Sequence, residues 1–417
     1  MERGQHFYGV AGDIGTTKMA IYLLDLTTGD LVTKSGVMNP QIAYGEDVVS
    51  RISYANQGLS YRLRLQNELI ETINVEVRRL CEGMGIITEQ IADFVMVGNT
   101  AMHHIVMKLP VRQLGEAPHV PAVNQAMRVP AREIGLQSAP GAVVYTPPNI
   151  AGYVGGDHVT MLLAAELLEA QGIALAMDIG TNTEISLLKD GRITCCSCAS
   201  GPTFEGAHIH AGMCAVPGAI ERAVYLDGEW RFSTIDGQQP VGICGSGILD
   251  VVASLKASSQ IDVAGRFTDQ AVNLVDHPKG GAIILVPGAH SGAGKDILVT
   301  RQDIREIQLA KAAIRAGVEA LLRSTSTRED EIDHFIIAGA FGTYLHIESA
   351  LQIGMLPRLA PERYTQIGNA AGVGAQEILL STASRAAAET VLKNMSYLEL
   401  TTDPRFRDLY VDSIAFD

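Results

Sequence analysis

Residues 9–18 read Gly-Val-Ala-Gly-Asp-Ile-Gly-Thr-Thr-Lys, and residues 174–184 read Ala-Leu-Ala-Met-Asp-Ile-Gly-Thr-Asn-Thr-Glu. In each copy an apolar segment predicts a β-strand, Asp-Ile-Gly-Thr predicts a turn, and the residues that follow predict a returning strand. The aspartates of the two turns, Asp13 and Asp178, are 165 residues apart. This repeat predicts an α/β protein with two related lobes, each a mixed sheet of about five strands covered by helices.

The composition indicates a folded protein with more than one hydrophobic core. The 417 residues include 46 acidic and 32 basic residues, giving a formal net charge of −14, and 47% are hydrophobic. Single cores rarely grow beyond roughly 250–300 residues, and this apolar fraction is too high for a disordered chain. An acidic balance without a stripe of Lys and Arg argues against nucleic acid or an anionic membrane as the main partner. The sequence has no apolar run of membrane-spanning length and no signal-peptide core, so we expect a cytoplasmic protein.

Apolar periodicity places further helices and strands around the two turns. Helical spacing predicts helices at residues 63–81, 157–170 and 303–323. Buried strands are predicted at residues 93–97 and 334–338. The first of these strands runs into Gly-Asn-Thr, and the second runs into Gly-Ala-Phe-Gly. Both strands therefore end in short polar or glycine-rich segments of the kind that lie against ligands.

The position of the repeat also predicts the domain boundaries. The first lobe is expected over residues 1–172 and includes an insertion subdomain at about residues 30–145. The second lobe is expected over residues 173–417, and its last helix is expected to return to the first lobe. No Gly/Ser-rich linker divides the chain, which favours two lobes that work as one hinged unit.

An Asp-Ile-Gly-Thr turn suits the binding of a polyphosphate with its metal ion. Glycine lets the backbone approach the phosphates, threonine and backbone N–H groups donate to their oxygens, and the carboxylate holds Mg²⁺ through water. One copy alone is equally typical of an ordinary tight hairpin. Two copies, followed by a strand that ends in Ala-Gly-Ala-Phe-Gly, predict a nucleotide site in which two loops hold a triphosphate from opposite lobes.

This hypothesis assigns roles to particular residues. Asp13 and Asp178 are the predicted magnesium ligands. The predicted phosphate contacts are Gly15, Thr16, Thr17, Gly180, Thr181 and Asn182. Lys18 either neutralises a phosphate or is a solvated lysine, and Asn99 and Thr100 either bind phosphate or water or cap a strand. The predicted contacts to adenine and ribose are Gly339, Ala340, Phe341 and Gly342, with Gly245 and Ser246 in a second loop.

Three of the six cysteines, Cys195, Cys196 and Cys198, lie in a strand-like segment at residues 192–198. This setting favours buried structural thiols over a site for a soft metal. Four cysteines with the spacing of a ferredoxin ligand run are absent from the sequence. We therefore expect no iron–sulfur cluster in this chain.

The three short motifs resemble the phosphate-1, phosphate-2 and adenosine elements of the superfamily of acetate and sugar kinases, heat-shock chaperone ATPases and actin. Longer blocks resemble the large ATPase region of the ATP-dependent reductive activators of corrinoid proteins, from about residue 8 to the C-terminus. These blocks occupy residues 39–41, 44–47, 97–104, 148–157, 200–207, 242–247 and 308–317. The resemblance implies a two-lobed actin-like, ribonuclease H-like ATPase fold with the nucleotide cleft between the lobes.

The resemblance also implies a function. ATP and Mg²⁺ would be the cofactors, and hydrolysis would drive reduction of an inactive Co(II) corrinoid protein to Co(I). The partner would be the cobalamin-binding subunit of a methyltransferase system, and the protein would be a homodimer. Members of the family usually carry an N-terminal [2Fe–2S] domain that supplies the electron. Because this sequence begins at the first phosphate strand, we expect the electron from a domain or protein outside this chain.

Two acidic residues are candidates for catalysis. Asp157 opens a predicted helix where the related sugar kinases place their general base, and in an ATPase it would orient the attacking water. The ordinary interpretation of Asp157 is an acid that interacts favourably with the helix dipole. Glu184 directly follows the second turn and is the reserve candidate for the same role.

Two other functions stay open from the sequence. A small-molecule kinase would use Asp157 as the base for a hydroxyl or carboxylate acceptor, although no sugar-binding cluster of Asn, Asp and Glu is evident. An actin-like filament protein would assemble with nucleotide, but the sequence lacks a recognisable insertion for polymer contacts. Release of phosphate without any acceptor would separate the activator from the kinase.

Overall fold

A computed structural model describes residues 6–339 and 341–416 and shows two compact units. The first unit comprises the described residues up to Ala170, together with Asp190–Ile193 and Asn369–Tyr397. The second comprises Gln171–Lys189, Thr194–Gly368 and the described residues from Leu398 onward. The chain therefore forms most of the first unit, then most of the second, and returns to the first before it ends.

The strands are β1 (Tyr8–Ile14), β2 (Lys18–Asp25), β3 (Leu31–Met38), β4 (Ile91–Val97), β5 (Met127–Pro130), β6 (Val143–Thr146), β7 (Ala174–Ile179), β8 (Thr183–Lys189), β9 (Arg192–Cys198), β10 (Ala219–Leu226), β11 (Glu229–Thr234), β12 (Gly242–Ile243), β13 (Leu274–Val275), β14 (Ala282–Val286), β15 (Ile297–Thr300), β16 (His334–Ala338), β17 (Tyr364–Gly368) and β18 (Met395–Tyr397). The helices are α1 (Val48–Ala55), α2 (Leu59–Gly83), α3 (Thr100–Val106), α4 (Ala131–Ile134), α5 (Gly156–Ala164), α6 (Gly245–Ala257), α7 (Arg301–Ser324), α8 (Ile347–Gln352), α9 (Ala370–Leu380), α10 (Thr382–Val391) and α11 (Phe406–Asp412).

The first unit is built on a six-stranded sheet in the order β3-β2-β1-β4-β6-β5. β1 and β2 form the predicted antiparallel hairpin, and β4 lies parallel to β1 on its other side. Because β1, β4 and β6 are parallel, their carboxyl ends meet at one edge of the sheet. The region predicted as an insertion subdomain supplies β3, β4, β5 and most of β6, so it is part of this main sheet.

Helices cover both faces of this sheet. Alternate residues of β1 enter different hydrophobic clusters: Val10 packs with residues of α2, whereas Ala11 packs with residues of α5, α9 and α10. The helices α9 and α10 belong to the segment that returns to this unit after the second unit. The last helix of the chain, α11, belongs instead to the second unit, where it packs on α7.

The second unit repeats the arrangement of the first. The strands β17, β16, β7 and β8 of this unit, with most of β9, follow one another in a six-stranded sheet, in which β7 and β8 form an antiparallel hairpin and β16 is parallel to β7. Thus each acidic turn follows a strand that has its own hairpin partner on one side and a parallel strand on the other. The mixed α/β architecture predicted from the repeat is confirmed, with six strands in each main sheet.

The long helix α7 matches the helix predicted at residues 303–323. Its first turn is fixed by a capping box, in which Thr300 Oγ1 accepts from the Asp303 N–H and Asp303 Oδ2 accepts from the Thr300 N–H. Its buried side includes Ile304, Ile307 and Ile314, as the apolar spacing predicts. No helix within the described ranges 6–339 and 341–416 is long and apolar enough to cross a membrane.

A buried histidine pair lies at α3, next to the carboxyl end of β4. His103 Nδ1 accepts from Asn149 Nδ2 at 2.9 Å, and its Nε2 lies 3.0 Å from Thr146 Oγ1. His104 Nδ1 lies 2.8 Å from the carbonyl oxygen of Thr100, to which it donates. Burial lowers the pKa of His103 to about 3 and that of His104 to about 4. Both rings are therefore neutral, hydrogen-bonded parts of the fold at neutral pH.

This pair predicts a loss of stability in acid. When the pKa of a histidine is lower in the folded state than in the unfolded state, its contribution to the free energy of unfolding is complete above the unfolded-state pKa. That contribution is lost as the pH falls towards the folded-state pKa. We expect His103→Asn to reduce the slope of the unfolding free energy with pH between pH 6 and pH 5 by about 1 kcal/mol per unit. Urea unfolding at a series of pH values measures the slope, and His334→Asn, at an exposed position, is the control. A slope identical to that of the parent chain would contradict the neutral state of His103.

Candidate functional site

Asp13 stands one residue before the end of β1, at the edge where the carboxyl ends of the parallel strands meet. Asn369 Nδ2 donates to Asp13 Oδ2 at 3.0 Å, and this amide is the side-chain partner of the carboxylate among the described residues. Burial raises the pKa of Asp13 to about 6, and the hydrogen bond from Asn369 opposes the rise. No lysine, arginine or histidine of the described chain forms an ion pair with this carboxylate, so its charge lacks a cation.

Asn369 was not among the residues predicted from the sequence. It is the N-cap of α9, and its Oδ1 accepts from the Gly372 N–H at 3.0 Å. An asparagine directly before an apolar helical run is a typical N-cap signal. That signal identifies the start of a helix, but it does not show that the other half of the amide holds a carboxylate 356 residues earlier in the chain.

The turn after Asp13 is held by two asparagines. Asn99 Nδ2 donates to Thr16 Oγ1 at 3.0 Å, and Asn39 Nδ2 donates to the carbonyl oxygen of Gly15 at 2.8 Å. A Cβ atom on Gly15 would overlap the carbonyl oxygen of Lys18, so the turn requires glycine there. The sequence motif therefore specifies a compact turn that is held by side chains from the segments directly after β4 and β3.

Thr17 and Lys18 are less constrained than the rest of the turn. The carbonyl oxygen of Thr17 accepts from the Asn39 N–H at 2.9 Å. Lys18 begins β2, its side chain is exposed, and it forms no ion pair within the described part of the chain. Both interpretations of Lys18, a phosphate contact and a solvated lysine, are compatible with this position.

Asn99 and Thr100 have different surroundings. Asn99 is the N-cap of α3, and its Oδ1 accepts from the Met102 N–H while its amide holds the Asp13 turn. Thr100 is fully buried, and its hydroxyl donates to the carbonyl oxygen of Ala151 at 2.6 Å. Asn99 thus caps a helix rather than a strand, and Thr100 is the first residue of that helix. The contacts of both residues with phosphate stay predictions.

Asp157 lies in the first turn of α5, close to the same edge of the first unit. Gly155 packs so tightly on Gly98 and Asn99 that a Cβ atom would overlap their backbone. The Asp157 N–H is 3.4 Å from the carbonyl oxygen of Gly98, and its Oδ1 accepts from the His158 N–H at 2.8 Å. Through Asn99, the structure thus joins the Asp13 turn to the N-terminus of the helix that carries Asp157.

The second acidic turn has its own cluster of carboxylates. Asp178 on β7 lies directly opposite Glu184 on β8, and residues directly opposite in an antiparallel pair share one face of the sheet. Ser197 Oγ donates to Glu184 Oε1 at 3.1 Å. Thr181 Oγ1 donates to Glu205 Oε1 at 2.6 Å. Glu184 therefore shares a face of the sheet with Asp178. Glu205 is not among the site residues predicted from the sequence, although it lies in the block at residues 200–207 that carries the family resemblance.

Backbone hydrogen bonds close this turn. The Gly180 N–H donates to the carbonyl oxygen of Asn182 at 3.1 Å, and the Gly201 N–H donates to that of Thr181 at 2.9 Å. Ser200 Oγ lies 3.3 Å from the carbonyl oxygen of Gly180. The turn at Gly180, Thr181 and Asn182 is thus supported by the segment that follows β9.

The glycine loop after β16 contacts the Asp178 turn. Gly339 has φ +93°, and a Cβ atom on it would lie 2.7 Å from Asp178 Oδ1, so both its conformation and its contact require glycine. The Phe341 ring stacks on Phe204 at 4.7 Å between ring centres. A Cβ atom on Gly342 would overlap the backbone of Ala338. Ala340 lies outside the described residues.

The other predicted glycine loop is explained by packing within the second unit. Gly245 begins α6, and a Cβ atom on it would overlap the carbonyl oxygen of Phe204. Ser246 is buried, and its Oγ lies 3.4 Å from Cys244 Sγ. The close approach predicted here is therefore to protein backbone, and the contact of Gly245 and Ser246 with a nucleotide stays a prediction.

The three clustered cysteines are buried free thiols on β9. Burial raises the pKa of Cys195 and of Cys196, which keeps both thiols protonated at neutral pH. No group of three or more His, Cys, Asp or Glu side chains suited to a metal ion occurs within residues 6–339 and 341–416. This finding leaves room for Mg²⁺, which commonly takes one or two carboxylates and completes its shell with water and phosphate.

Comparison with protein families matches nearly the whole chain in two parts. A family model described as the C-terminal domain of RACo, the ASKHA domain, matches residues 172–417, and a model of the RACo middle region matches residues 8–170. The corrinoid activation enzyme RamQ of Eubacterium limosum is 34% identical over 424 residues, which cover 100% of this chain and 71% of the relative. The [Co(II) methylated amine-specific corrinoid protein] reductase of Methanosarcina barkeri is 25% identical over 98% of this chain and 77% of its own length.

A solved structure also resembles this chain throughout. It is that of a reductive activator for a corrinoid,iron-sulfur protein, with 36% sequence identity and a TM-score of 0.91. The similarity covers 100% of this chain and 67% of that chain.

The uncompensated carboxylate predicts that Asp13→Asn stabilises the chain without ligand. Because the folded pKa of Asp13 is raised from 3.8 to about 6, the penalty for its charge is complete above pH 6 and disappears below about pH 4. At pH 8 we expect the variant to be more stable by on the order of 2 kcal/mol. Asparagine retains an oxygen that accepts from Asn369.

Chemical denaturation of both chains at pH 8 and pH 4 measures this effect. The matched control is Asp190→Asn, an exposed aspartate in the turn between β8 and β9, which has φ +51°, a conformation that asparagine tolerates. An Asp13→Asn chain that gains no stability at pH 8 would show that the carboxylate is already compensated.

Proposed function

Because this chain belongs to the RACo family, we propose that it is an ATP-hydrolysing activator that drives the reduction of a Co(II) corrinoid protein to Co(I). The family match spans residues 8–170 and 172–417. Its relatives include a corrinoid activation enzyme and a Co(II) corrinoid protein reductase. The observation that carries the ATPase part of the proposal is the repeated acidic turn, which both units build on the same arrangement of strands.

Mg²⁺ fits the residues at these turns. Asp13 is a half-buried carboxylate without a cationic partner in the described chain, and a divalent cation would offset the cost of its charge. We assign Asp13 and Asp178 as the residues that hold the ion through water, with the turns at residues 15–17 and 180–182 as donors to the phosphates. Bound there, Mg²⁺ would neutralise charge on the phosphate oxygens of ATP.

Asp157 is the group we assign to orient the attacking water. It is partly buried at the start of α5, and Asn99 connects this helix to the Asp13 turn. Glu184 is the second candidate, because it shares a sheet face with Asp178. A carboxylate in either place would accept a hydrogen bond from the attacking water. This bond would align a lone pair of the water oxygen with the γ-phosphate.

Thermodynamics explains why this reaction would require ATP. Reduction of a corrinoid to Co(I) is uphill for ordinary cellular donors, and each 30 mV of a one-electron step costs about 0.7 kcal/mol. Binding and hydrolysis of ATP would favour different conformations of the activator, and a change in cobalt ligation on the partner would make the reduction easier. The electron would come from a [2Fe–2S] domain or protein, and the active protein would be a homodimer.

The role of Asp157 predicts a separation of binding from turnover. Asp157→Asn is expected to bind Mg·ATP with little change and to hydrolyse it about 100-fold more slowly, because it loses the acceptor that orients water. Calorimetry measures binding, and phosphate release measures turnover. Glu348→Gln, which changes the acidic residue in the first turn of α8, is the matched control for a helix-end charge. If Glu184→Gln gives the large loss and Asp157→Asn does not, the assignment passes to Glu184.

The proposed function as a whole is tested on a Co(II) corrinoid protein under anaerobic conditions. With a low-potential reductant present, we expect the Co(I) absorption to appear when this chain and Mg·ATP are added together. It should not appear with a non-hydrolysable ATP analogue or with the Asp13→Ala variant. Co(I) formation that proceeds equally without ATP would refute the coupling, and phosphate release that depends on an added sugar or carboxylic acid would favour a kinase.

A further inference from the structure

We propose that Asn369 is a positioning residue, whose amide orients the Asp13 carboxylate towards the magnesium ion of the nucleotide site. The inference rests on the proposed function, since it concerns the same site. Asn369 Nδ2 lies 3.0 Å from Asp13 Oδ2, and both residues belong to the first unit. The distance is that of a direct hydrogen bond from a neutral donor to a charged acceptor.

The orientation of the Asn369 amide is determined by its two partners. The Gly372 N–H is a donor, so only the amide oxygen of Asn369 can accept from it, at 3.0 Å. The NH₂ group must then face Asp13, where the carboxylate can only accept while it is charged. The same side chain therefore caps α9 with one atom and holds the carboxylate with the other. An aspartate would supply only the first function.

The helix that Asn369 caps is rigidly packed, so the amide has a fixed position. α9 packs against α5 and β1. Its small residues permit this close approach: a Cβ atom on Gly374 would overlap the backbone of Thr160 in α5, and one on Gly372 would lie 2.6 Å from the Tyr22 hydroxyl. Because α5 carries Asp157, one helix pair supports the predicted water-orienting residue and the amide that holds the predicted metal ligand.

The Tyr22 hydroxyl adds a second polar group beside this contact. It lies 3.4 Å from Asn369 Nδ2, and burial, followed by the charge on Asp13, raises the pKa of Tyr22. The carboxylate is thus surrounded by a neutral amide and a neutral phenol and by no charged donor within the described chain. Such an arrangement leaves its negative charge available to a cation while it restricts the orientation of the oxygens.

The test separates the cap from the positioning contact. Asn369→Ser retains an N-cap oxygen for the Gly372 N–H, but its side chain is too short to reach Asp13 as well. Nucleotide affinity is measured with a non-hydrolysable ATP analogue, with Mg²⁺ and with EDTA, for the parent chain and the variant. We expect the gain in affinity due to Mg²⁺ to fall about tenfold in the variant, since a hydrogen bond to a charged group is of this strength. The affinity in EDTA is expected to change less than twofold.

Ser381→Ala is the matched control, because it removes the N-cap of α10 in the same returning segment without touching Asp13. An Asn369→Ser chain with lower affinity but an unchanged ratio between Mg²⁺ and EDTA has only a structural defect, and the positioning role would be refuted. A parent chain that binds no analogue under either condition would refute the proposed function and this inference together. Asn369→Gly, also tolerated at an N-cap, serves if the serine variant does not fold.

A second measurement needs no nucleotide. At pH 8, Asn369→Ser is expected to lower the denaturant midpoint at least twice as much in the parent chain as in an Asp13→Asn background, since a neutral acceptor makes a weaker bond. Equal losses in both backgrounds would show that the amide stabilises the helix alone and would overturn the proposal.

Discussion

The structure depends most on a carboxylate placed where its charge is costly. Asp13 ends a strand whose sides are occupied by β2 and β4 and whose faces are covered by helices, and burial raises its pKa to about 6. No cation of the described chain offsets that charge. An uncompensated carboxylate of this kind weakens the free protein, which agrees with the metal-binding role that we propose for it, since functional sites commonly exchange stability for function. Asn369 donates to this carboxylate directly, and Asn99 fixes the turn that follows it.

The two units use the same strand arrangement but support their acidic turns differently. In the first unit, the side chains of Asn39, Asn99 and Asn369 hold the turn or the carboxylate. In the second, the support comes from Glu205, Ser200 and the glycine loop at Gly339. The repeat therefore preserves backbone geometry, whereas the surrounding side chains have specialised. We attribute the different roles proposed for the two turns to these side chains rather than to the shared motif.

Much of the fold follows from local sequence patterns. β9 and β16 begin and end where they were predicted. β16 is a short and mostly apolar run, and β9 combines buried Ile193 and cysteines with polar residues directly after a turn. α5 ends at Ala164, earlier than predicted, since Glu166 adopts a left-handed conformation that periodicity does not reveal. Asp13, Asp157 and Asp178 carry recognisable signals, but Asn369 and Glu205 act through partners distant in sequence. For Thr100 the sequence does not reveal that its hydroxyl donates to the carbonyl oxygen of Ala151 within the fold.

The returning segment determines the order in which parts of the first unit can be completed during synthesis. One face of the first sheet, which includes Ala11 and Val95, is covered by α5 together with α9 and α10, and the last two helices are synthesised about 200 residues after α5. At a rate of roughly 5–20 residues per second, that face waits on the order of 10–40 seconds for its cover. During this interval the nascent chain exposes part of the hydrophobic surface of this sheet, which favours chaperone binding and aggregation. The first unit, whose synthesis begins first, is therefore completed only once Asn369–Tyr397 has been made, after most of the second unit.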